Sequence, residues 1–417
     1  MDFLLIDEFI SIYSMAALPS NALTHLTTRT MKPETAVGMD PHRLQHLKAV
    51  IEADVSRGHY HGAVLRVGRS GHVAMELAVG TVGGPGTAAL KTDSVFSIFS
   101  LTKAFTNVLA LRAVVMGQLA LTTRVSEVIP QFKGAPREGA TLFHLLTHTA
   151  GMPGVWSPQI GMFEDRLDEL VQAVIEHVHG IVAPGTRCDY APVVNHVLIA
   201  EMLRRTDPKG RAFRDLARED LFDPLQMVDT SFGVRPDLRA RKVVPDMRGV
   251  VPIPVKGRDD PHSMHSLFEQ EVNEAPHVGM CSTVSDLWRF TDMLRRGGTL
   301  DGARIISPRT LALARRNWTD DMYNELYRAV ALRAGWEPPP AFIGLGFSVR
   351  GEGIVHHQFG TLTSPQTFGN YGAGSSMFWV DPEQDLTFVC CTTGLLAQAP
   401  NIERFQRLSD ITVGAIR

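Results

Sequence analysis

The spacing of apolar residues changes character along this chain. Residues 40–58 carry Leu44, Leu47, Val50, Ile51 and Val55 at helical intervals behind Asp40, a good cap residue, so a helix is expected there. The pattern then becomes two apolar runs, Gly62 to Val67 and His72 to Val79, around a Gly68–Gly71 turn. That combination predicts a hairpin. The far end of the chain has a matching set. Ile343 to Val349, Ser376 to Val380 and Leu386 to Cys391 predict strands, and 401–416 predicts a closing helix with Ile402, Phe405, Leu408, Ile411 and Val413 on or near one face. Residues 98–300 read as mostly helical. The simplest assembly is an α+β fold: an antiparallel sheet built from both chain ends, flanked by helices, with a helical region inserted between them. On this reading residues 1–39 are an N-terminal arm, 40–97 and 300–417 form the sheet region, and 98–299 the helical region. The site lies at their seam, in one catalytic unit.

Two segments stand outside this pattern. Residues 316–342 form an excursion, helix-like from Asp320 to Leu332 and then stiffened by Trp336-Glu337-Pro338-Pro339-Pro340. It reads equally as a lid beside a cleft and as a surface loop without a role. The start, Met1 to Ile10, is apolar but carries acids where a signal peptide needs basic residues, and reads as an arm rather than a docking helix.

Composition narrows the chemistry. The 417 residues have a formal net charge of −3 and no basic block, which argues against nucleic acid as a partner. No apolar run is long enough to span a bilayer, so no membrane partner is expected. The four cysteines, Cys188, Cys281, Cys390 and Cys391, include no C-x-x-C pair. They read as buried free thiols, which suits a reducing compartment and a cytoplasmic location.

The most informative stretch is Ser100-Leu101-Thr102-Lys103. It follows the apolar run Val95 to Ile98 and opens a helical pattern, Ala104 to Leu111, that stops at Gly117. Residues three apart on a helix share a face. A serine at a helix N-terminus sits where free N–H groups and the helix dipole favour developing negative charge. Its hydroxyl needs an adjacent base, and a desolvated lysine one turn away is able to be that base. The bland alternative is a chance match to a short motif. Lys103 is, however, the one lysine with a serine three residues before it, and the match falls at a strand-to-helix junction.

Other residues carry weaker signals. Tyr190, in the turn Ala183 to Pro192, reads either as ordinary half-buried structure or as a phenol whose anion is favoured by a protonated lysine and which relays the serine's proton. The glycine-rich stretch Phe368 to Ser376 either lines a site as an edge strand and lends a backbone N–H to an oxyanion, or is a plain bulge. His148 reads as a hydrogen-bonded structural histidine. His356-His357 lacks a third ligand at metal-site spacing, so no metal site is expected. No G-x-S-x-G elbow occurs.

Taken in order over residues 40–415, these segments resemble the serine β-lactamase and penicillin-binding-protein superfamily, in its class C β-lactamase-like branch with the family VIII carboxylesterases and lovastatin-type acyltransferases. The resemblance is carried by Phe99 to Lys103, Leu145 to Gly151, Pro184 to Tyr190, Leu221 to Met227 with Asp229 to Phe232, Cys281 to Leu287, and Trp379 to Pro382. It implies a β-lactamase-like fold, Ser100 as nucleophile, Lys103 and Tyr190 sharing the base role, and an oxyanion held by the N–H groups of Ser100 and Ala373, with Gly372, Tyr371 and Asn370 lining the substrate. No cofactor is implied. Two positions depart from the family pattern. Ala191 and Pro192 follow Tyr190 where a serine and an asparagine are usual, and Asn370-Tyr371-Gly372 stands where lactamases have Lys-Thr-Gly. The cation that would hold a substrate carboxylate is thereby missing, a loss of about 1.5–3 kcal/mol for such a substrate.

The expectation is a serine hydrolase or acyltransferase acting through acyl-Ser100 on an ester or thioester of a small, secondary-metabolite-like molecule. An acyl carrier or coenzyme A thioester is admissible as donor. The alternatives are an amide hydrolase of β-lactamase or D-aminopeptidase type, a biosynthetic enzyme using the pocket for a non-hydrolytic step, and a non-catalytic member that only binds its ligand.

Overall fold

Asp40 caps the first helix, Pro41–Ser56, by accepting from the His42 and Arg43 N–H groups at 2.8 and 3.3 Å. In this computed structural model residues 37–246 and 270–417 are described. The arm expected over 1–39 lies outside them as far as residue 36.

Eleven strands follow one another among the described residues. They are β1 (Gly62–Arg69), β2 (His72–Gly80), β3 (Phe96–Ser97), β4 (Ser231–Phe232), β5 (Met280–Ser282), β6 (Thr299–Leu300), β7 (Ala303–Arg304), β8 (Ser348–Val349), β9 (Phe368–Gly372), β10 (Ser376–Asp381) and β11 (Leu386–Thr392). Six of them form the main sheet in the order β2-β1-β11-β10-β9-β8, with every pair antiparallel. The two chain ends meet at its centre, where Ala63 pairs with Thr392 and Arg69 with Leu386.

Period-two alternation explains how this sheet is held. Ala63, Leu65, Val67, Met377, Trp379, Leu386, Phe388 and Cys390 point to one face and pack under the Pro41–Ser56 helix and the closing helix Gln398–Val413. Val64, Phe378, Val380, Val389 and Cys391 point to the other face and join the larger core, which holds the Thr102–Val115 and Val194–Thr206 helices. Burial of both faces accounts for the unbroken apolar runs in β10 and β11. The helix Val284–Arg295 lies against this second face, its Trp288 indole donating to Thr387 at 3.2 Å.

The predicted elements need four adjustments. The middle of the chain, expected to be mostly helical, also contains the small sheet β3-β5-β4. The closing helix is Gln398–Val413 rather than 401–416, and the excursion's helix is Glu325–Arg333, capped by Asn324, rather than Asp320 to Leu332. The strand expected over Ile343 to Val349 is cut to Ser348–Val349. Its first half folds back on itself, Ile343 bridging to Ser348 and the Gly344 N–H donating to the Phe347 carbonyl at 2.8 Å. Gly346 makes this possible. It takes φ +84°, and a Cβ there would stand 2.5 Å from the side chain of Asn107, which itself donates to the Gly346 carbonyl at 2.8 Å.

Gly346→Ala is therefore expected to cost about 2–4 kcal/mol, combining a left-handed residue with overpacking. A urea-unfolding midpoint within error of the parent's would contradict this account of the turn.

Candidate active site

The chain enters the site through a turn that sequence pattern does not reveal. Ile98 N–H donates to the Met280 carbonyl at 3.1 Å, tying the turn to β5. Phe99, buried at 2 % exposure, then takes φ +50°, a left-handed conformation that phenylalanine seldom adopts. Burial of its ring holds it there. One turn of 3-10 helix, Phe99–Leu101, runs directly into the Thr102–Val115 helix, so Ser100 stands at the helix mouth and Lys103 one turn behind it.

Three predicted residues converge. Lys103 Nζ lies 3.0 Å from Ser100 Oγ, and the Tyr190 hydroxyl donates to the same oxygen at 3.0 Å. Lys103 also donates to the His277 carbonyl at 2.9 Å, and its nitrogen sits 5.4 Å from the centroid of the Tyr190 ring. The amine is 3 % exposed, and this loss of water pulls its pKa from the ordinary 10.5 down to about 7, against the opposing pull of the Glu164 carboxylate. A lysine so placed is neutral for a useful fraction of the time at neutral pH. It then offers a lone pair to the serine proton while keeping an N–H for His277.

Tyr190 departs from one expectation. A protonated lysine was expected to favour its anion. Burial instead pushes the phenol well above its ordinary range, more than the hydrogen bond to Ser100 lowers it. Tyr190 therefore stays protonated and acts first as a donor.

The loop that delivers Tyr190 is held by the Leu145 to Gly151 segment. His148, at φ +57°, accepts at Nδ1 from the Ala191 N–H and from the Asn195 side-chain amide, both at 3.2 Å, and its carbonyl accepts from the Asp189 N–H at 2.9 Å. Its ring packs 5.0 Å from that of Tyr190. Burial, aided by the charge of Lys103, holds His148 down near 3, so it is a neutral prop with its hydrogen on Nε2. This is the hydrogen-bonded structural histidine expected from sequence.

The opposite side of the site is β9. Gly372 is pressed onto the nucleophile turn so closely that a Cβ would stand 2.3 Å from the Ile98 carbonyl, which also accepts from Ser376 Oγ at 3.0 Å. Ala373 follows directly and is exposed, so its amide lies at the end of β9 beside the Ser100 turn. Asn370 donates to the Gly346 carbonyl at 3.3 Å, which leaves its buried Oδ1 without a partner among the described residues. Tyr371 stacks edge-on against Tyr327 at 5.9 Å.

Ser100, Lys103, His148, Tyr190, Asn370 and Tyr371 line an open cleft. The 316–342 excursion is one of its walls and contributes Asn324, Tyr327, Trp336 and Pro340. Its two feet meet, since the Ala341 N–H donates to the Met322 carbonyl at 2.7 Å. Trp336 stacks on His356 at 3.9 Å across the rim. His357 is half-buried at the cleft wall and accepts from the Phe359 N–H at 3.1 Å. Lys103 is the sole lysine or arginine among the described residues that line the cleft. Sequence reasoning missed the His277 carbonyl and the Glu164 carboxylate behind it, and neither has a residue pattern to announce it.

Comparisons with known proteins agree with this layout. Residues 47–411 match the family model described as Beta-lactamase. Penicillin-binding protein 4 of Amycolatopsis lactamdurans is 29% identical over 297 residues, covering 70% of this chain and 74% of that protein. A penicillin-binding protein homologue from Caulobacter crescentus superposes with a TM-score of 0.68 at 23% identity, covering 90% of this chain and 99% of the other. EstCE1, described as a hydrolase with promiscuous acyltransferase activity, superposes with a TM-score of 0.71 at 18% identity, covering 89% and 98%.

If Lys103 must shed its proton to take the serine's, labelling of Ser100 by a fluorophosphonate rises with pH through about 7 and levels above it. In Lys103→Arg, whose guanidinium keeps its proton, the rise disappears and labelling falls roughly a hundredfold or more. A flat pH profile in the parent protein contradicts the assignment.

Proposed function

The chain belongs to the β-lactamase family, and from that premise we propose that it is a serine acyl hydrolase or acyltransferase working on esters or thioesters through an acyl-Ser100 intermediate. The observation that supports this most directly is the placement of Ser100 Oγ at 3.0 Å from both Lys103 Nζ and the Tyr190 hydroxyl.

In the first half-reaction the neutral Lys103 amine accepts the Ser100 proton as Oγ bonds to the acyl carbon. The carbonyl oxygen becomes an oxyanion, which the Ser100 and Ala373 N–H groups receive. As the carbonyl re-forms, the bond to the leaving oxygen or sulfur breaks. Tyr190 passes its proton to that atom and is reprotonated by Lys103, so the amine is again neutral. Water or an acceptor hydroxyl then runs the same steps in reverse against the acyl-enzyme, giving acid or transferred ester. Lys103 and Tyr190 titrate as a pair, so the proton belongs to both along this path.

The preference for a neutral acyl group rests on the lining and on the residues that follow Tyr190. Asn370 offers an amide in place of a cation, and Pro192 has no side-chain donor. Tyr190, Tyr327, Tyr371 and Trp336 supply aromatic surface suited to a small-molecule acyl group. A second reading, an amide hydrolase of the penicillin-binding type, is favoured by the likeness to penicillin-binding protein 4.

Ser100→Ala is expected to abolish both fluorophosphonate labelling and turnover, and unchanged hydrolysis in that variant would eliminate the mechanism. For the parent protein, p-nitrophenyl esters should outpace the matching anilides and nitrocefin by roughly a hundredfold. Asn370→Lys should narrow that gap for carboxylate-bearing substrates by about tenfold, one charge-assisted hydrogen bond. Comparable ester and nitrocefin rates in the parent would instead favour the amide reading.

A further inference from the structure

The buried groups behind the cleft include a pair that the proposed steps do not use. His277 Nε2 lies 3.1 Å from Glu164 Oε2, with His277 3 % and Glu164 8 % exposed. The two residues come from different segments, which a hydrogen bond from the Glu274 N–H to the Asp165 carbonyl holds together at 2.8 Å. The His277 segment is also fastened along the nucleophile helix. Thr106 Oγ1 donates to the Pro276 carbonyl at 2.7 Å, and the Met280 N–H donates to Thr102 Oγ1 at 3.3 Å. Between these two fastenings the His277 carbonyl meets Lys103 Nζ at 2.9 Å.

We propose that Glu164 is a positioning residue for the catalytic amine: through the His277 ring it fixes the carbonyl that orients Lys103, and its negative charge sets the pH at which Lys103 becomes a base. This rests on the acyl-Ser100 reading above. Two observations converge on it. The contact of His277 Nε2 with Glu164 Oε2 fixes the tautomer with hydrogen on Nε2, leaving a buried Nδ1 without a partner among the described residues. The ring is thus held by Glu164 at the cost of an unpaired acceptor.

The charges around Lys103 single out Glu164. The Thr102–Val115 helix carries the amine itself. His148 faces it from the Leu145 to Gly151 segment, His196 from the Val194–Thr206 helix, Tyr190 from its loop and His277 from the segment before β5. Burial holds the three histidines below their ordinary values and Tyr190 above its own, so all four are neutral near pH 7. Glu164 is the group whose charge acts on the amine, and it acts to keep the proton on. Neutralising it should therefore free Lys103 at lower pH. His277 carries the carbonyl, so exchanging Glu164 perturbs the amine without altering a group that touches substrate.

The test is the pH dependence of fluorophosphonate labelling, followed by intact-mass spectrometry on the full chain. Glu164→Gln keeps an acceptor for His277 but removes the charge. Its acid limb should move down by ~0.5–1 pH unit, so that labelling at pH 6 is roughly three- to fivefold faster than in the parent, with the plateau above pH 8 within about threefold. Glu164→Leu loses both charge and hydrogen bond, and its plateau should fall about tenfold or more, because the carbonyl is no longer held. A residue with a merely structural role would change the plateau or the melting temperature and leave the limb in place. A Gln variant whose limb coincides with the parent's, or moves upward, overturns the inference. If the label is found away from Ser100, the underlying acyl-enzyme reading fails instead.

Discussion

The removal of water from one amine governs the chemistry of this molecule. Lysine in water holds its proton far too tightly to act as a base at neutral pH. Placed inside the mouth of a helix, it loses the hydration that favours its charge. The cost is borne by the surrounding fold, since a buried amine destabilises the protein whenever it is protonated. The site accordingly surrounds the amine with neutral partners, a backbone carbonyl and a phenol, and keeps the Glu164 carboxylate at one remove. Three neighbouring histidines are kept uncharged by the same burial, so none of them adds a repelling charge.

That environment is assembled from segments far apart in the chain. The nucleophile turn is held from below by β5 and from the side by β9, which come from well-separated parts of the sequence. The sheet in turn depends on β1 lying between β2 and β11, so the first of the described strands completes a surface made by the last ones. The phenol arrives from a third direction, on a loop fastened to His148. Each contact is ordinary in strength. The precision of the site comes from rigid elements meeting at one point, which is what preorganised catalysis requires.

How much of this was legible in the sequence follows from the range over which each feature is determined. Local periodicity revealed the Pro41–Ser56 helix with its Asp40 cap, the β1–β2 hairpin, β10 and β11. The serine-lysine spacing marked the helix mouth, and the resemblance to a known superfamily marked Tyr190. The α+β layout followed because strand patterns cluster at both ends. Features fixed by tertiary contact did not show. Ile343 to Val349 has the pattern of a strand, but its fold-back is fixed by Asn107 and Asn370, which both donate to the Gly346 carbonyl. The left-handed Phe99 has no propensity signal, and the His277 carbonyl belongs to a residue whose side chain points elsewhere. The protonation of Tyr190 was misjudged for the same reason. Proximity to a cation is readable from a motif, whereas depth of burial is a property of the whole fold.

The wall built by residues 316–342 is joined to the rest of the protein at a pinch, with Met322 and Ala341 side by side. A loop whose ends already touch is exchanged for a longer or shorter one at little entropic cost, because closing the ring was settled by the scaffold. The nucleophile, its amine and its phenol all lie outside that ring. Diversification of what the cleft accepts can therefore proceed by swapping the interior of one hinge-like insert, while the apparatus that breaks and makes the acyl bond is inherited unaltered.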